Sequence, residues 1–339
     1  MKKILLATTM LASVAGYAAA DVAVSGDARM GIASYNGDAA FSNRVRISFS
    51  GSGTTDGGLA FGGSIRADNS VDGAAGTAGS VFISGAFGKI SMGDVDSGDA
   101  AAVGQLSSVG YEGLGSGNSI AYAADGGGVG FGDNDPVKIG AAARVLYTYS
   151  AGAVTINAST SQINNTDASD VVGDAYYGNM SYGLGVSYTA GAVTVAVGYG
   201  ETSADYNYDG TTYTDALTDM SASVKYVAGD TTVKAIYQDK TASESWDGES
   251  EDMVSEVSMG ASVDHKIDAL TVTAYVLSSE FSSDYYSNTL QLNRMGLGAA
   301  YDLGGGATFK AGWSQIEVAV SDTETDSEDN FDAGVNFSF

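Results

Sequence analysis

The sequence predicts an all-β chain that forms a 16-stranded antiparallel transmembrane β-barrel with one long loop folded into its interior. Three observations lead to this prediction: a hairpin-sized repeat, a two-residue alternation of side-chain character, and a composition that excludes most other classes of protein. The chain has 339 residues, including 47 Gly and one Pro, and 44% of its residues are hydrophobic while 17% are charged. Disordered acidic chains lack this apolar and aromatic content, so the chain folds.

Charge and residue inventory exclude several functions. The formal net charge of −26 opposes nucleic-acid binding, which requires a basic face. The chain has no Cys and one His, which rules out Cys-ligated metal sites and argues against His-dependent catalysis and multi-His metal sites. No segment after residue 16 approaches the roughly 18 to 20 apolar residues of a membrane helix. The sequence therefore predicts neither a nucleic-acid binder nor a helical membrane protein.

The first twenty residues have the pattern of a secretory signal. Lys2 and Lys3 precede a short apolar stretch over 4–16, and three alanines at 18–20 offer the small residues that a signal peptidase requires. We expect residues 1–20 to be cleaved on export, which leaves a single barrel domain over residues 21–339. Loss of the two lysines changes the formal charge from −26 to −28.

A repeat of about 38 residues predicts the number of strands. Each copy has a strand, a tight turn and a second strand that begins with Thr and a large apolar residue, as in 149–156 and 188–195. The equivalent turn positions are 152, 191, 229, 268 and 305, and they lie 37 to 39 residues apart. At this spacing, residues 21–339 hold about eight hairpins and therefore about 16 strands, the size class with an open aqueous lumen.

Alternation along the strands separates a membrane barrel from a soluble sandwich. In 193–199 the odd positions are large and apolar and the even ones are small or polar, and 331–339 repeats the pattern. The outer face of a soluble sandwich is usually rich in charge, whereas here the second face is mostly Gly, Ala, Ser and Thr. This pattern favours a barrel with a lipid-facing and a lumen-facing side. The predicted strands are 21–35, 41–52, 57–69, 78–85, 88–95, 139–150, 152–161, 177–189, 191–201, 217–228, 230–240, 253–265, 269–281, 290–303, 305–317 and 329–339.

The hairpin repeat is interrupted by one long segment, residues 96–137. It far exceeds ordinary loop lengths, so we expect it to have a function. We predict that it folds into the barrel and constricts the pore, with an external lid as the alternative. This prediction rests on its apolar residues, which are Leu106, Val109, Tyr111, Leu114, Ile120 and Tyr122.

Charged residues are predicted to lie on opposite sides of this constriction. Strand parity, the odd or even position of a residue along its alternating strand, places four basic residues on the face opposite to the apolar one. This is the lumen face, because a charge facing lipid costs about 2 to 4 kcal/mol. The charged residues of the loop are all acidic, and clusters of opposite charge on the two sides of a pore can select ions. Pairing of individual arginines with Asp27 or Asp68 is the alternative. The predicted wall residues are Arg29, Arg44, Arg46 and Arg66, and the loop acids are Asp96, Asp99, Glu112, Asp125, Asp133 and Asp135.

Several segments resemble the Rhodobacter-type general porins of the bacterial outer membrane. The resemblance spans the whole chain after residue 20, and it is carried by SGDARMG at 25–31, SGAFGKI at 84–90 with MGD at 92–94, LYTYSAG at 146–152 and YDLGGGA at 301–307. It implies a homotrimer of 16-stranded barrels, each with an inward-folded third loop, through which small hydrophilic solutes diffuse.

The resemblance also implies roles for individual residues. The four wall arginines match the basic side of the porin constriction by motif position, while Asp96, Asp99 and Glu112 match the acidic loop loosely because its sequence diverges. Porins of this type bind calcium near the loop, which implies a Ca²⁺ ion without assigning its ligands, and no other cofactor is implied. Phe339 resembles the terminal signal read by the outer-membrane assembly machinery.

The acidic runs 244–252 and 322–329 are predicted to be solvated loop tips, with cation-bridged contact to lipopolysaccharide as the alternative.

The leading functional prediction is a non-catalytic diffusion pore with cation preference. A solute-specific porin, an outer-membrane barrel enzyme and a secreted acidic adhesin are the alternatives.

Overall fold

A computed structural model describes eight stretches of the chain. The predicted signal peptide (1–20) and residues 127–137 of the predicted loop lie outside them. The described residues are 21–70, 77–126, 144–163, 177–208, 210–247, 249–283, 289–320 and 324–339. Within these stretches, no helix is long and apolar enough to cross a membrane.

Sixteen antiparallel strands in the described residues form one closed barrel, in which each strand pairs with the next and β1 pairs with β16. The predicted fold class is therefore confirmed. The strands are β1 (Asp21–Tyr35), β2 (Asp38–Thr54), β3 (Ala60–Ser70), β4 (Thr77–Gly85), β5 (Gly88–Gly93), β6 (Arg144–Ala151), β7 (Val154–Ile163), β8 (Tyr177–Ala190), β9 (Val193–Tyr208), β10 (Thr211–Ala228), β11 (Thr231–Trp246), β12 (Glu249–Ile267), β13 (Leu270–Ser283), β14 (Leu290–Gly304), β15 (Ala307–Val320) and β16 (Glu324–Ser338).

The two faces of the wall follow the predicted alternation. On β9, Val197 is 59% exposed while the preceding Ala196 is buried. On β16, Phe331 is exposed and Asp332 is buried. Since closure leaves no open sheet edge, the backbone of such a wall is satisfied within the sheet and its apolar face can contact lipid.

Tight turns at one end of the barrel confirm the repeat. Ala190 pairs with Val193 and Ala228 pairs with Thr231, so each of these turns has two residues. Gly191 and Gly229 have φ of 59° and 57°, a left-handed conformation that glycine adopts without strain. Asp268 occupies the equivalent position of the degenerate copy with φ 52°, which Asp tolerates better than most residues.

Strands β11, β12 and β16 extend further than predicted. The acidic run 244–252 was expected to be a loop, but β11 continues to Trp246 and β12 begins at Glu249. Likewise, β16 begins at Glu324. Polar residues mark the edge of the apolar band, but they do not prevent cross-strand hydrogen bonding beyond it, so a loop assignment from polarity was wrong here.

Candidate functional site

Residues 94–126, here called the inner loop, leave the sheet after β5 and contain one short helix, α1 (Gly98–Val103). The loop contacts wall residues that alternate along each strand with the exposed apolar residues and therefore face the other side of the wall. Gly98 N–H donates to Ser159 Oγ on β7 at 2.8 Å, and Ser223 Oγ on β10 donates to Val103 O at 3.1 Å. The inner loop therefore lies against the lumen face of the wall. It is the third connection at its end of the barrel, after the β1–β2 and β3–β4 connections.

The inner loop follows the wall from strand to strand. Lys234 Nζ on β11 donates to a carbonyl oxygen at the C-terminal end of α1, 2.6 Å away. Ser107 Oγ donates to Asp264 Oδ2 on β12 at 2.5 Å. Further along, Tyr111 N–H donates to Asp332 Oδ2 on β16 at 2.9 Å. The chain thus crosses the lumen face from β7 to β16 before it turns back.

Lumen-facing glycines make room for this path. A Cβ atom on Gly298 would lie 2.9 Å from Val109 Cβ, and one on Gly312 would lie 2.5 Å from Gly110 Cα. Real Cβ atoms do not approach other atoms so closely, and here the neighbours are backbone or the base of a side chain. Larger residues on the lumen face would therefore displace the inner loop.

Apolar packing holds the loop in place. Leu106 and Ile120 are buried together with Ile236 and Leu277 of the wall, and Leu114 is fully buried beside Val109. Complete burial of one such side chain stabilises the docked loop by about 1.5 to 3 kcal/mol. The apolar content that predicted a packed segment is thus buried against the wall.

Glu112 fastens the far end of the inner loop to β1 and β2. Its carboxylate lies 3.2 Å from Arg29 Nη2 and accepts hydrogen bonds from Tyr35 Oη at 2.9 Å and Ser42 Oγ at 2.5 Å. The Arg29 guanidinium also lies 5.6 Å from the centroid of the Tyr111 ring. Because both charges are largely buried, this pair is a stronger contact than an exposed ion pair.

The remaining arginines lie beside Arg29 on the lumen face, as parity predicts. Arg44 is paired directly with Arg29 in the strand register. Each has a carboxylate partner: Arg44 lies 3.2 Å from Asp27, while Arg46 and Arg66 lie 2.9 and 2.8 Å from Asp68. The wall therefore brings the four arginines together, but as ion pairs. This is the arrangement that the alternative prediction described.

The three predicted loop acids occupy three different environments. Asp96 has an exposed side chain near the start of the loop, but partial desolvation of its carboxyl by the surrounding loop, and next the negative charge of Asp125, raise its pKa. Glu112 contacts Arg29 directly. Asp99 was expected to line the pore but is completely buried against the wall, so this expectation is wrong. Asp133 and Asp135 lie outside the described residues.

Several residues of the site were not singled out from the sequence. Asp332 accepts the N–H groups of Tyr111 and Glu112, and Lys234 binds the end of α1. Arg144 on β6 lies 2.9 Å from Asp125 of the inner loop. Parity identifies such residues as lumen-facing, but the sequence holds no signal for where the loop meets them.

The resemblance implied a calcium ion near the loop. In the described parts of the chain, no three Asp, Glu, His or Cys side chains converge as a metal site would require. The described residues therefore do not form that site. The predicted assembly signal, Phe339, is 65% exposed and exchanges two backbone hydrogen bonds with Gly26.

Comparison with known proteins identifies the family. The sequence pattern of Gram-negative porins matches residues 7–337. A porin from Rhodobacter capsulatus is 36% identical over 340 residues, covering 94% of this chain and all of that protein. A porin structure refined at 1.8 Å resolution is 31% identical, covers 94% of this chain and all of its own, and has a TM-score of 0.67.

A more distant structure shares the fold. The Vibrio cholerae outer-membrane protein OmpT, in a structure described as its trimer form, is 16% identical, with a TM-score of 0.70 over 95% of this chain and all of its own. Proteins with this family pattern and fold are channels. The chain belongs to the Gram-negative porin family and is a passive diffusion channel in the bacterial outer membrane.

Proposed function

We propose that the inner loop and the arginine wall together border the narrowest passage of the channel, and that small hydrophilic solutes and ions pass there. The observation that carries this proposal is the 3.2 Å contact between Glu112 of the loop and Arg29 of the wall. It brings the loop and the four arginines to one level of the lumen. Solutes that cross the barrel then pass both.

The charge of this passage favours cations. The four wall arginines share three carboxylates, Asp27, Asp68 and Glu112, so one positive charge is left unmatched there, while Asp96 on the loop is exposed. The chain is strongly acidic, and its field adds to this preference. The proposed selectivity is therefore a modest preference for cations.

Single-channel recording in planar lipid bilayers tests the proposal. We expect conductance steps whose reversal potential under a salt gradient indicates cation preference, and an increase of this preference in Arg44→Ala. Lys266→Ala, at an exposed position near a turn, is the matched control. Absence of conductance steps would contradict the channel, and unchanged selectivity in Arg44→Ala would contradict the proposed passage. Block of conductance by one solute at low concentration would indicate a solute-specific porin instead.

We also propose that the chain forms a homotrimer, as the OmpT structure described as a trimer form does. A shallow groove of about 600 Å³ lies on the outer face of β2 to β5, lined by Phe49, Ile65 and Val81 around small residues that include Gly51. A side chain added at Gly51 would meet no atom within 4 Å in its own barrel. Gly51→Trp should therefore weaken trimers and leave the barrel folded, whereas Ala222→Trp, on β10, should not. Unchanged trimers on unheated detergent gels would contradict this interface.

Catalysis forms no part of the proposed function. The single His, His265, lies near the end of β12, and its Nδ1 is 2.8 Å from Thr231 Oγ1. Its parity is that of the exposed Val263 and Ile267, so it faces away from the lumen. The apolar outer face, which includes the 86% exposed Phe41, is proposed to contact membrane lipid, with lipopolysaccharide as the outer-leaflet partner.

A further inference from the structure

Two carboxyl groups are buried together where α1 meets the wall. Asp99 of α1 is 0% exposed and Asp219 of β10 is 1% exposed. A Cβ atom on Gly200 would lie 2.5 Å from Asp99 Oδ2 and 2.6 Å from Asp219 Oδ1, so the two oxygens flank one small volume. Two ionised carboxylates at this separation and burial repel each other strongly.

Hydrogen bonding distinguishes the two groups. Asp219 accepts the N–H of Ala123 at 2.7 Å and an N–H of Gln238 at 3.2 Å. In contrast, neither oxygen of Asp99 accepts a hydrogen bond of good geometry from the described residues, although both are buried, and weak contacts with the Ser97 hydroxyl and its own N–H only partly offset this burial. An ionised Asp99 would be an unpaired buried charge, whereas a neutral carboxyl is far less costly to bury and can donate a hydrogen bond.

The charged neighbours do not compensate Asp99. Lys240 of β11 lies 2.8 Å from Glu256 of β12 and directly opposite Asp219 in the strand register, so its charge serves Glu256 and Asp219 and not Asp99. Arg144 of β6 likewise lies 2.9 Å from Asp125 of the loop.

The other titratable neighbours belong to the inner loop. Asp125 adds negative charge near Asp99, and the hydroxyl of Tyr122 donates to Gly104 O at 2.7 Å. The strand positions that α1 covers on β8 and β9 are Gly183, Gly185, Gly198 and Gly200, which have no charge.

We propose that Asp99 holds a proton shared with Asp219, and that this proton keeps α1 docked on the wall, so that ionisation of the pair loosens the inner loop. The docking itself is independent of the proposed passage, whereas any effect on conductance rests on that proposed function.

The direction of the pH effect follows from the pKa of Asp99 in the loop. Burial first, and the negative charge of Asp219 second, raise this pKa from 3.8 to about 7. A released Asp99 has its ordinary pKa, so only the docked state holds the proton as the pH rises from about 4 to about 7. The ratio of docked to released loop therefore falls about tenfold per pH unit across this window and is constant above it.

Hydrogen exchange of the full-length protein in detergent tests the proposal. The amides of Gly98, Ala101 and Gly104, which bond within and around α1, are followed from pH 4 to pH 8. Asp99→Asn, which cannot ionise, is compared with wild type at each pH so that intrinsic exchange rates cancel. Asp219→Asn is a second variant, and Asp230→Asn, an exposed turn residue, is the matched control.

We expect wild-type protection to be close to that of Asp99→Asn at pH 4 and to fall relative to it by about 300-fold between pH 4 and pH 7. Asp230→Asn should behave as wild type. Equal protection of wild type and Asp99→Asn at every pH would overturn the proposal. So would protection at pH 7 that is lost with EDTA and restored by CaCl₂, since the carboxyls would then hold a cation.

Conductance recorded over the same pH range separates the two proposals. Protection that changes with pH while conductance does not would support the shared proton and contradict the proposed passage. If both change in wild type and neither changes in Asp99→Asn, both proposals are supported.

Discussion

Glu112→Gln should release the far end of the inner loop and change ion selectivity at the same time. The substitution preserves the size of the side chain and one acceptor oxygen, which can still receive the hydrogen bond from Ser42 or Tyr35. It removes the negative charge opposite Arg29, which leaves a largely buried guanidinium without its ion-pair partner. Both the docking of the loop and the local charge of the passage therefore change.

The size of the effect follows from the burial of the pair. The Arg29 and Glu112 side chains are 18% and 9% exposed, so the pair lies between a surface ion pair and a fully buried one. A hydrogen bond to a charged group contributes about 1.5 to 3 kcal/mol. Since about 1.4 kcal/mol is a tenfold change, opening of the loop end should become about 10 to 100 times more favourable.

Two measurements test this prediction. The amides of Tyr111 and Glu112 donate to Asp332, so their hydrogen exchange reports docking of this end of the loop. The reversal potential under a salt gradient reports selectivity and should move toward anions, because the passage loses one negative charge. Glu249→Gln, at an exposed strand end, is the control. If exchange and reversal potential both match wild type, Glu112 does not fasten the loop and our reasoning about the passage is wrong.

Three further substitutions probe the same site. Gly298→Val should push Val109 and the loop away from the wall into the lumen and lower single-channel conductance, and unchanged conductance would show that the wall yields instead. Lys234→Met removes two hydrogen bonds to carbonyls at the end of α1 and should weaken docking by about 2 to 4 kcal/mol, measured by hydrogen exchange; wild-type protection would refute it. Asp68→Asn leaves Arg46 and Arg66 without a carboxylate partner and should shift the reversal potential toward anions. A shift toward cations would contradict the proposed balance of charge along the wall.

Matched controls exist for each of these variants. Ala299→Val adds the same bulk one residue from Gly298, on the outward face. Lys266→Met removes an exposed lysine beside the β12–β13 turn. Asp56→Asn neutralises an exposed acid in the β2–β3 turn. Each control should leave its measured quantity at the wild-type value.

The strands and turns of the wall were predictable because each depends on the character of residues that are close together in the sequence. A strand that separates lipid from water must alternate with a period of two, so Val193 to Tyr199 identify both the strand and its faces. The turns were predictable because a two-residue hairpin needs a left-handed residue, which Gly191 and Gly229 provide. Strand ends were less predictable: beyond the apolar band, residues such as Glu249 still pair, although their polarity suggests a loop.

The site was less predictable because its contacts join residues far apart in the sequence. The arginines were placed by parity alone, since a charge cannot face lipid. The acids Asp99 and Glu112 look equivalent in the sequence, yet one is buried over Gly183 and Gly200 and the other contacts Arg29. No local pattern in the loop distinguishes them, because the difference arises from the part of the wall that each one meets.

Lumen-facing glycines supply part of the missing information. A polar lumen wall can carry Ser or Thr at any inward position, and glycine weakens a strand, so an inward glycine needs a reason. On β14 and β15, the glycines at 296, 298 and 312 all lie beside the inner loop. The same holds for 183, 185, 198 and 200 on β8 and β9, where α1 docks. On β8, β9, β14 and β15, strand parity combined with glycine position therefore traces the path of the loop before any contact is known, although it leaves the charges along that path undetermined.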